Sequence, residues 1–190
     1  MILQNIDELK ENNYPVLIIG SGPAGLTLAL ELEKKNIKTV IIEAGGEEYN
    51  NKSQSFYKVN TEGVALQDIT NSRLRQFGGT SAIWGGWCKP LTDLDFENFG
   101  LNSKNINKYQ KKTCEVLNIE DSFRESVIND DFNQIEFQYS NVRFYNKYFN
   151  QIKKSKNIKL ILNTQLSHFV GKNNRIENAI CISNKKLSKI

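Results

Sequence analysis

Two hydrophobic periods follow one another in the first forty-five residues. Pro15-Val16-Leu17-Ile18-Ile19 is an unbroken apolar run rich in β-branched side chains, which predicts a buried parallel strand near 15–20. From Leu26 to Lys35 the spacing becomes helical: Leu28 and Leu32 stand one turn apart, with Ala29 and Leu30 alongside, giving a helix over about 23–35. Asn36 stands where that helix ends, and asparagine tolerates the left-handed conformation of a helix terminus. Lys38-Thr39-Val40-Ile41-Ile42-Glu43 is a second apolar strand, so the segment reads as one βαβ unit. Later in the chain, Leu101–Ile119 predicts a helix with Ser103 as N-cap and with Tyr109, Cys114 and Leu117 along one side. Leu160–Leu166 predicts a strand, and Gly171-Lys172-Asn173-Asn174 a hairpin turn. Ser122–Tyr139 is polar and mildly acidic and reads as flexible, and Lys185–Ile190 reads as a solvated tail.

Between the first strand and helix lies Gly20-Ser21-Gly22-Pro23-Ala24-Gly25. In a Gly-x-Gly-x-x-Gly turn the first glycine permits the tight turn and the second lets the backbone approach a pyrophosphate. The third lets helix and strand pack closely. The helix N-terminus then offers unpaired N–H groups and a positive dipole end to phosphates. Glu43, followed by Ala44, ends the second strand some twenty residues later, where a carboxylate accepts hydrogen bonds from ribose hydroxyls. A bare structural turn would also use glycine, but strand, turn, helix, strand and acid fall here in the order of a dinucleotide site. The motif leaves FAD and NAD open. Glu43 speaks against NADP, whose 2′-phosphate it would repel.

Composition removes several other classes. The 190 residues are 39% hydrophobic and 24% charged, in the range of globular domains. The net charge of +4 is spread along the chain and does not suggest nucleic acid as a partner. Three cysteines, Cys88, Cys114 and Cys181, and one histidine, His168, form no metal-ligand cluster. An odd cysteine count fits a reducing compartment and a cytoplasmic protein. Acidic residues near the start replace the apolar core of a secretory signal, and no apolar stretch approaches a membrane span.

The most specific stretch is Arg73-Leu74-Arg75-Gln76-Phe77-Gly78-Gly79-Thr80-Ser81-Ala82-Ile83-Trp84-Gly85-Gly86-Trp87-Cys88-Lys89-Pro90-Leu91. Small residues let main-chain N–H groups come close to a ligand. Thr80 and Ser81 add hydroxyls, and Trp84 adds a broad flat surface. Arg73 and Arg75 stand where they could meet phosphate charge. A glycine-rich surface loop with an incidental tryptophan is the alternative. At these residues the chain resembles the glucose–methanol–choline oxidoreductases, and within them the bacterial branch with an Arg-x-x-Gly-Gly-Thr-Ser-x-x-Trp-Gly-Gly-like segment.

The resemblance implies that Gly78, Gly79, Thr80, Ser81, Trp84, Gly85 and Gly86 lie against the pyrophosphate and flavin ring, and it selects FAD over NAD. Some relatives attach the flavin through a histidine just before this tryptophan. Ile83 holds that place here, so non-covalent FAD is expected. The helix at Leu101–Ile119 resembles the start of the family's substrate region, which makes Cys114 a packing residue. Ser140–Phe149, Asn157–Leu162 and Ala179–Ile182 resemble the return into the FAD domain, with Gln165 and Leu166 passing the adenine side. Cys181 is then core, and His168 is exposed near the hairpin.

The expected fold is therefore α/β: a three-layer Rossmann-like FAD-binding domain with a parallel sheet, incomplete, plus the start of a substrate domain. Its expected divisions are 1–92, 93–155 and 156–190. Longer relatives carry their catalytic base near the far C-terminus, so no catalytic residue is expected here, and a missing C-terminal half or second chain is the expected partner. Two classes stay open: part of a flavoenzyme acting on CH–OH groups of alcohols or sugars, and a non-catalytic nucleotide-binding module or remnant.

Overall fold

The computed structural model describes residues 1–10, 14–60, 62–63, 68–129 and 132–190. The chain divides into two compact units, Met1–Trp84 with Arg143–Ile190, and Gly85–Val142. The divisions expected at 92 and 155 thus differ from these bounds. The helix Phe144–Lys154, which falls within the 93–155 division although Ser140–Phe149 resembles the return into the FAD domain, belongs to the first unit.

That unit is built on four parallel strands: β1 (Ile2–Leu3), β2 (Val16–Ile19), β3 (Thr39–Ile42) and β4 (Ile158–Ile161), in the order β1-β4-β3-β2. Helix α1 (Pro23–Lys34) crosses from β2 to β3, as the apolar periods predicted. Its C-terminus closes on Asn36 in the left-handed conformation, φ +57°. The Asn36 N–H donates to Glu33 O at 2.9 Å and the Ile37 N–H to Leu32 O at 3.1 Å, which adds donors to carbonyls of the last turn. Helix α2 (Phe144–Lys154) buries Phe144, Tyr148 and Ile152, one stripe at four-residue spacing, and packs on α1 and β4.

All four residues of β3 are buried, because both faces of the sheet are covered. Helices cover one face. The other is covered by an antiparallel sheet of β5 (Thr164–Lys172), β6 (Arg175–Ser183) and β7 (Lys186–Lys189). Val40 and Ile42 of β3 pack there with Leu3, Ile161, Ala179 and Cys181. The three layers are thus helices, parallel sheet and antiparallel sheet.

Three expectations change in detail. Leu160–Leu166 is not one strand: Asn163, at φ +51°, breaks it, so the chain leaves the parallel sheet and enters the antiparallel one. Lys185–Ile190 is not a free tail. Asn184 and Lys185 both take positive φ in a tight turn, and Ile190 exchanges two backbone hydrogen bonds with Ala179, at 2.9 and 3.0 Å. The strand β1 carries no sequence signal that set it apart. By contrast, the Gly171–Asn174 turn is present, with Asn173 and Asn174 at φ +52° and +58° between β5 and β6.

In the second unit the expected helix 101–119 is split into Ser103–Asn107 and Gln110–Leu117. Asn102, not Ser103, is the N-cap, its side chain accepting the Asn105 N–H at 3.3 Å. Cys114 is buried, as expected. Within Ser122–Tyr139 the strands Glu125–Asn129 and Phe132–Ile135 pair as an exposed antiparallel ladder, while residues 130–131 lie outside the described residues. Trp87–Cys88 pairs with Gln138–Tyr139, and Ser140 N donates to Gly86 O at 2.7 Å.

Two glycines of the first turn carry opposite consequences. A Cβ on Gly25 would lie 2.1 Å from Gly20 O and 3.2 Å from Ile18 Cγ2, whereas one on Gly22 would meet nothing within 4 Å. Gly25→Ala is expected to destabilise the fold by about 1–3 kcal/mol, the cost of overpacking. Gly22→Ala should cost under ~1 kcal/mol, since only an N-cap preference is lost. Urea denaturation of the two variants checks this ordering. Burial pushes the thiols of Cys88, Cys114 and Cys181 above their usual value, but Cys88 alone is half-exposed. A thiol reagent is expected to modify Cys88 first. Cys181 should react only on unfolding, and a fast Cys181 would mean that the antiparallel sheet does not stay closed on the parallel one.

Candidate functional site

The C-terminal ends of β2 and β3 and the first residues of β5 open onto a cavity of about 770 Å³ in the first unit. Ligands of open α/β sheets bind at such strand ends, and the volume falls within the ~300–1,000 Å³ of small-molecule sites. Gly20 (φ +92°), Gly22 and Pro23 form the floor at the N-terminus of α1. Gly22 is the helix N-cap and makes no side-chain cap, so the first N–H groups of α1 face the cavity without a capping oxygen. Ala24 is exposed on the first turn and does not line the cavity; Gly25 packs on Gly20 beneath it.

The second glycine segment comes back over this turn. The Gly78 N–H donates to Ser21 Oγ at 3.3 Å, and a Cβ on Gly79 would lie 3.2 Å from Gly22 Cα. Gly78 and Gly79 both have positive φ, and Gly78 is pressed against Tyr145 N, which a Cβ would meet at 2.6 Å. The stretch is docked through Gly45-Gly46. A Cβ on Gly45 would strike Arg75 O at 2.1 Å, and the Phe77 N–H donates to Gly46 O at 2.8 Å. Gln54, buried, adds a further clamp: its amide donates to Thr70 O and Arg73 O and accepts the Arg75 N–H.

Glu43 lines the cavity but is nearly enclosed, and its oxygens already have protein donors. Oε2 accepts the Ser21 N–H at 2.9 Å and the Ser21 hydroxyl at 2.7 Å, and Oε1 accepts the Gly45 N–H at 2.8 Å. A carboxylate has about four acceptor sites, so one remains for a ribose hydroxyl. Of the hydroxyls of Ser21, Thr80 and Ser81, two are occupied by the fold. Ser21 gives its proton to Glu43, and Ser81 donates to Gly78 O at 2.8 Å and accepts the Phe144 N–H at 3.3 Å. Thr80 Oγ1 accepts the Leu74 N–H at 3.2 Å and keeps its proton for a ligand.

Arg75 lines the cavity. It donates to Gln165 Oε1 at 2.6 Å and Ser53 Oγ at 3.1 Å, and lies 4.4 Å over the Phe56 ring. Burial lowers the guanidinium from its usual value, and the Tyr57 and Glu43 side chains oppose that shift. The cavity brings Glu43, Ala44, Arg75, Gly79, Thr80, Ser81, Trp84, Gln165 and Leu166 together. Gly85 and Gly86 open the second unit, where a Cβ on Gly86 would meet Ser140 O at 2.3 Å. Ile19, Ile42, Tyr57, Leu74 and Thr164 line the cavity without having been singled out. For Ile19, Ile42 and Thr164 the signal was their place at strand ends; Tyr57 and Leu74 had none.

Open space at Gly22, an uncapped helix N-terminus and a carboxylate at the end of β3 fit an adenine dinucleotide. His168 is exposed on β5 beside Ser167, outside the cavity lining. Among the described residues no helix is long and apolar enough to cross a membrane.

Residues 13–61 match the family described as the FAD binding domain, and the cofactor is FAD. No curated protein matches the chain. Among solved structures it is similar to pyridoxine 4-oxidase from Mesorbium loti, with 12% sequence identity and a TM-score of 0.61 over 94% of this chain and 48% of that one. It also matches p-nitrophenol 4-monooxygenase PnpA from Pseudomonas putida DLL-E4, with 13% identity and a TM-score of 0.40 over 99% of this chain and 38% of that one. The chain thus spans about half the length of the pyridoxine 4-oxidase chain, and what the two share is a Rossmann-like FAD-binding fold.

Proposed function

We propose that the chain is the FAD-binding portion of a flavin-dependent oxidoreductase of the glucose–methanol–choline type, acting on CH–OH groups of alcohols or sugars. The observation that carries this reading is the convergence of two glycine segments on one cavity, with Gly79 against Gly22 at the N-terminus of α1. In this reading Gly20, Gly22, Pro23 and Gly79 hold the pyrophosphate by backbone approach, and Thr80 donates to it. Glu43, Ala44, Gln165 and Leu166 hold the adenosine. Trp84 faces the flavin. Ile83 has no atom that could bond to the ring, so binding is non-covalent. When bound, the flavin supplies a two-electron acceptor for a hydride.

Among the described residues, those of the site bind and orient, and none of them is a positioned base. Glu43 is engaged by three N–H and O–H donors, and His168 is on the outer antiparallel sheet. Three free cysteines fit a reducing, cytoplasmic setting. β2 is an edge of the parallel sheet, with Ile19 half exposed, which favours pairing with a further segment or second chain.

Gly22→Val is expected to weaken FAD binding at least tenfold while leaving the fold intact, because its side chain would fill the space left for the phosphates. Calorimetric titration with FAD and NAD checks this, and tighter binding of NAD by the unaltered chain would overturn the assignment. With excess FAD and an artificial electron acceptor, residues 1–190 are expected to oxidise neither sugars nor primary alcohols. A positioned base contributes typically ~10²–10⁴-fold, and the cavity offers none. Turnover near ~10 s⁻¹, an ordinary enzyme value, would refute this.

A further inference from the structure

Ser21 lies between two glycines of the phosphate turn, yet its side chain points inward and is wholly buried. A hydroxyl has one proton to donate. That of Ser21 goes to Glu43 Oε2 at 2.7 Å, and its oxygen accepts the Gly78 N–H at 3.3 Å. Phosphate oxygens need donors, so Ser21 has none left to offer them.

We propose that Ser21 is a positioning residue, a latch that ties the second glycine segment to the phosphate turn through Glu43 and never touches the cofactor. The inference rests on the FAD reading for its consequence, but the latch itself is a property of the protein without ligand. Three stretches meet at this one hydroxyl: its own turn, the end of β3 through Glu43, and the loop entering Gly78. Glu43 extends the tie to Gly45, whose neighbour Gly46 bridges Gln76 just before Gly78. Removing the hydroxyl leaves the Gly78 N–H without its acceptor and frees the segment that places Gly79 beside Gly22 and carries Thr80 and Trp84. Thr80 is the contrasting case, since its hydroxyl proton is unspent and its side chain lines the cavity.

The two roles separate in a Trp87→Phe background, where Trp84 is the remaining tryptophan and the replaced residue is an exposed one of the second unit. In that background Ser21→Ala is expected to raise acrylamide quenching of Trp84 in flavin-free protein. It should also weaken FAD and ADP by the same factor, about tenfold. Gly22→Val, whose added Cβ meets no protein atom within 4 Å, is expected to weaken both ligands without changing the quenching. Ser21→Cys, which fills the same space with a poor donor, is expected to follow Ser21→Ala and serves if the alanine variant does not fold. Weaker FAD with unchanged Trp84 quenching in Ser21→Ala would place Ser21 on the cofactor and overturn the proposal. So would affinities and quenching within twofold of the parent. If the parent bound neither FAD nor ADP, the FAD reading would fall, while Trp84 quenching would still decide the latch.

Discussion

A charged carboxylate withdrawn from water must be met by donors or it opposes folding by several kcal/mol. Glu43 meets that requirement with the Ser21 N–H, the Ser21 hydroxyl and the Gly45 N–H. Satisfying this one group forces three parts of the chain to the same place. The phosphate turn supplies two donors, and Gly45 supplies the third. Gly45 in turn lies so close to Arg75 O that only glycine fits, which seats the strand leading to Gly78. The cavity is the space left above these contacts.

The sheet around it is arranged to leave that space open. β2, β3 and β4 run parallel and in register, with Ile19, Ile42 and Ile161 level at their ends. After β4, Asn163 takes a left-handed conformation and turns the chain into β5. Thr164 N still donates to Glu43 O at 2.8 Å, so the departing strand seals one wall with Thr164, Gln165 and Leu166. Arg75 braces the same wall through Gln165.

Much of this was legible in the sequence. The change from an apolar run to helical spacing and back marked β2, α1 and β3, because both faces of such strands are buried and the helix repeats at 3.6 residues. Asn36 and the Asn173-Asn174 pair marked their turns for the reason that asparagine tolerates positive φ. The glycines of both clusters were recognisable as places of close backbone approach. β1 was not legible, since two apolar residues carry no period. β7 was hidden because its lysines look solvated, and they are: the strand is held by backbone hydrogen bonds that side-chain pattern does not report.

The sequence by itself determined the α/β class, the dinucleotide turn and the residue types that could stand near a cofactor, because these depend on local period and on the steric freedom of glycine. Which of those residues remain available to a ligand was decided only in the tertiary structure. A serine in a phosphate turn reads as a donor until its proton is found on Glu43, and Ser81 reads likewise until it is found bridging Gly78 and Phe144. A hydroxyl's single proton goes to the best acceptor within reach. That acceptor comes from residues more than twenty positions away in the case of Ser21, and sequence spacing does not specify it.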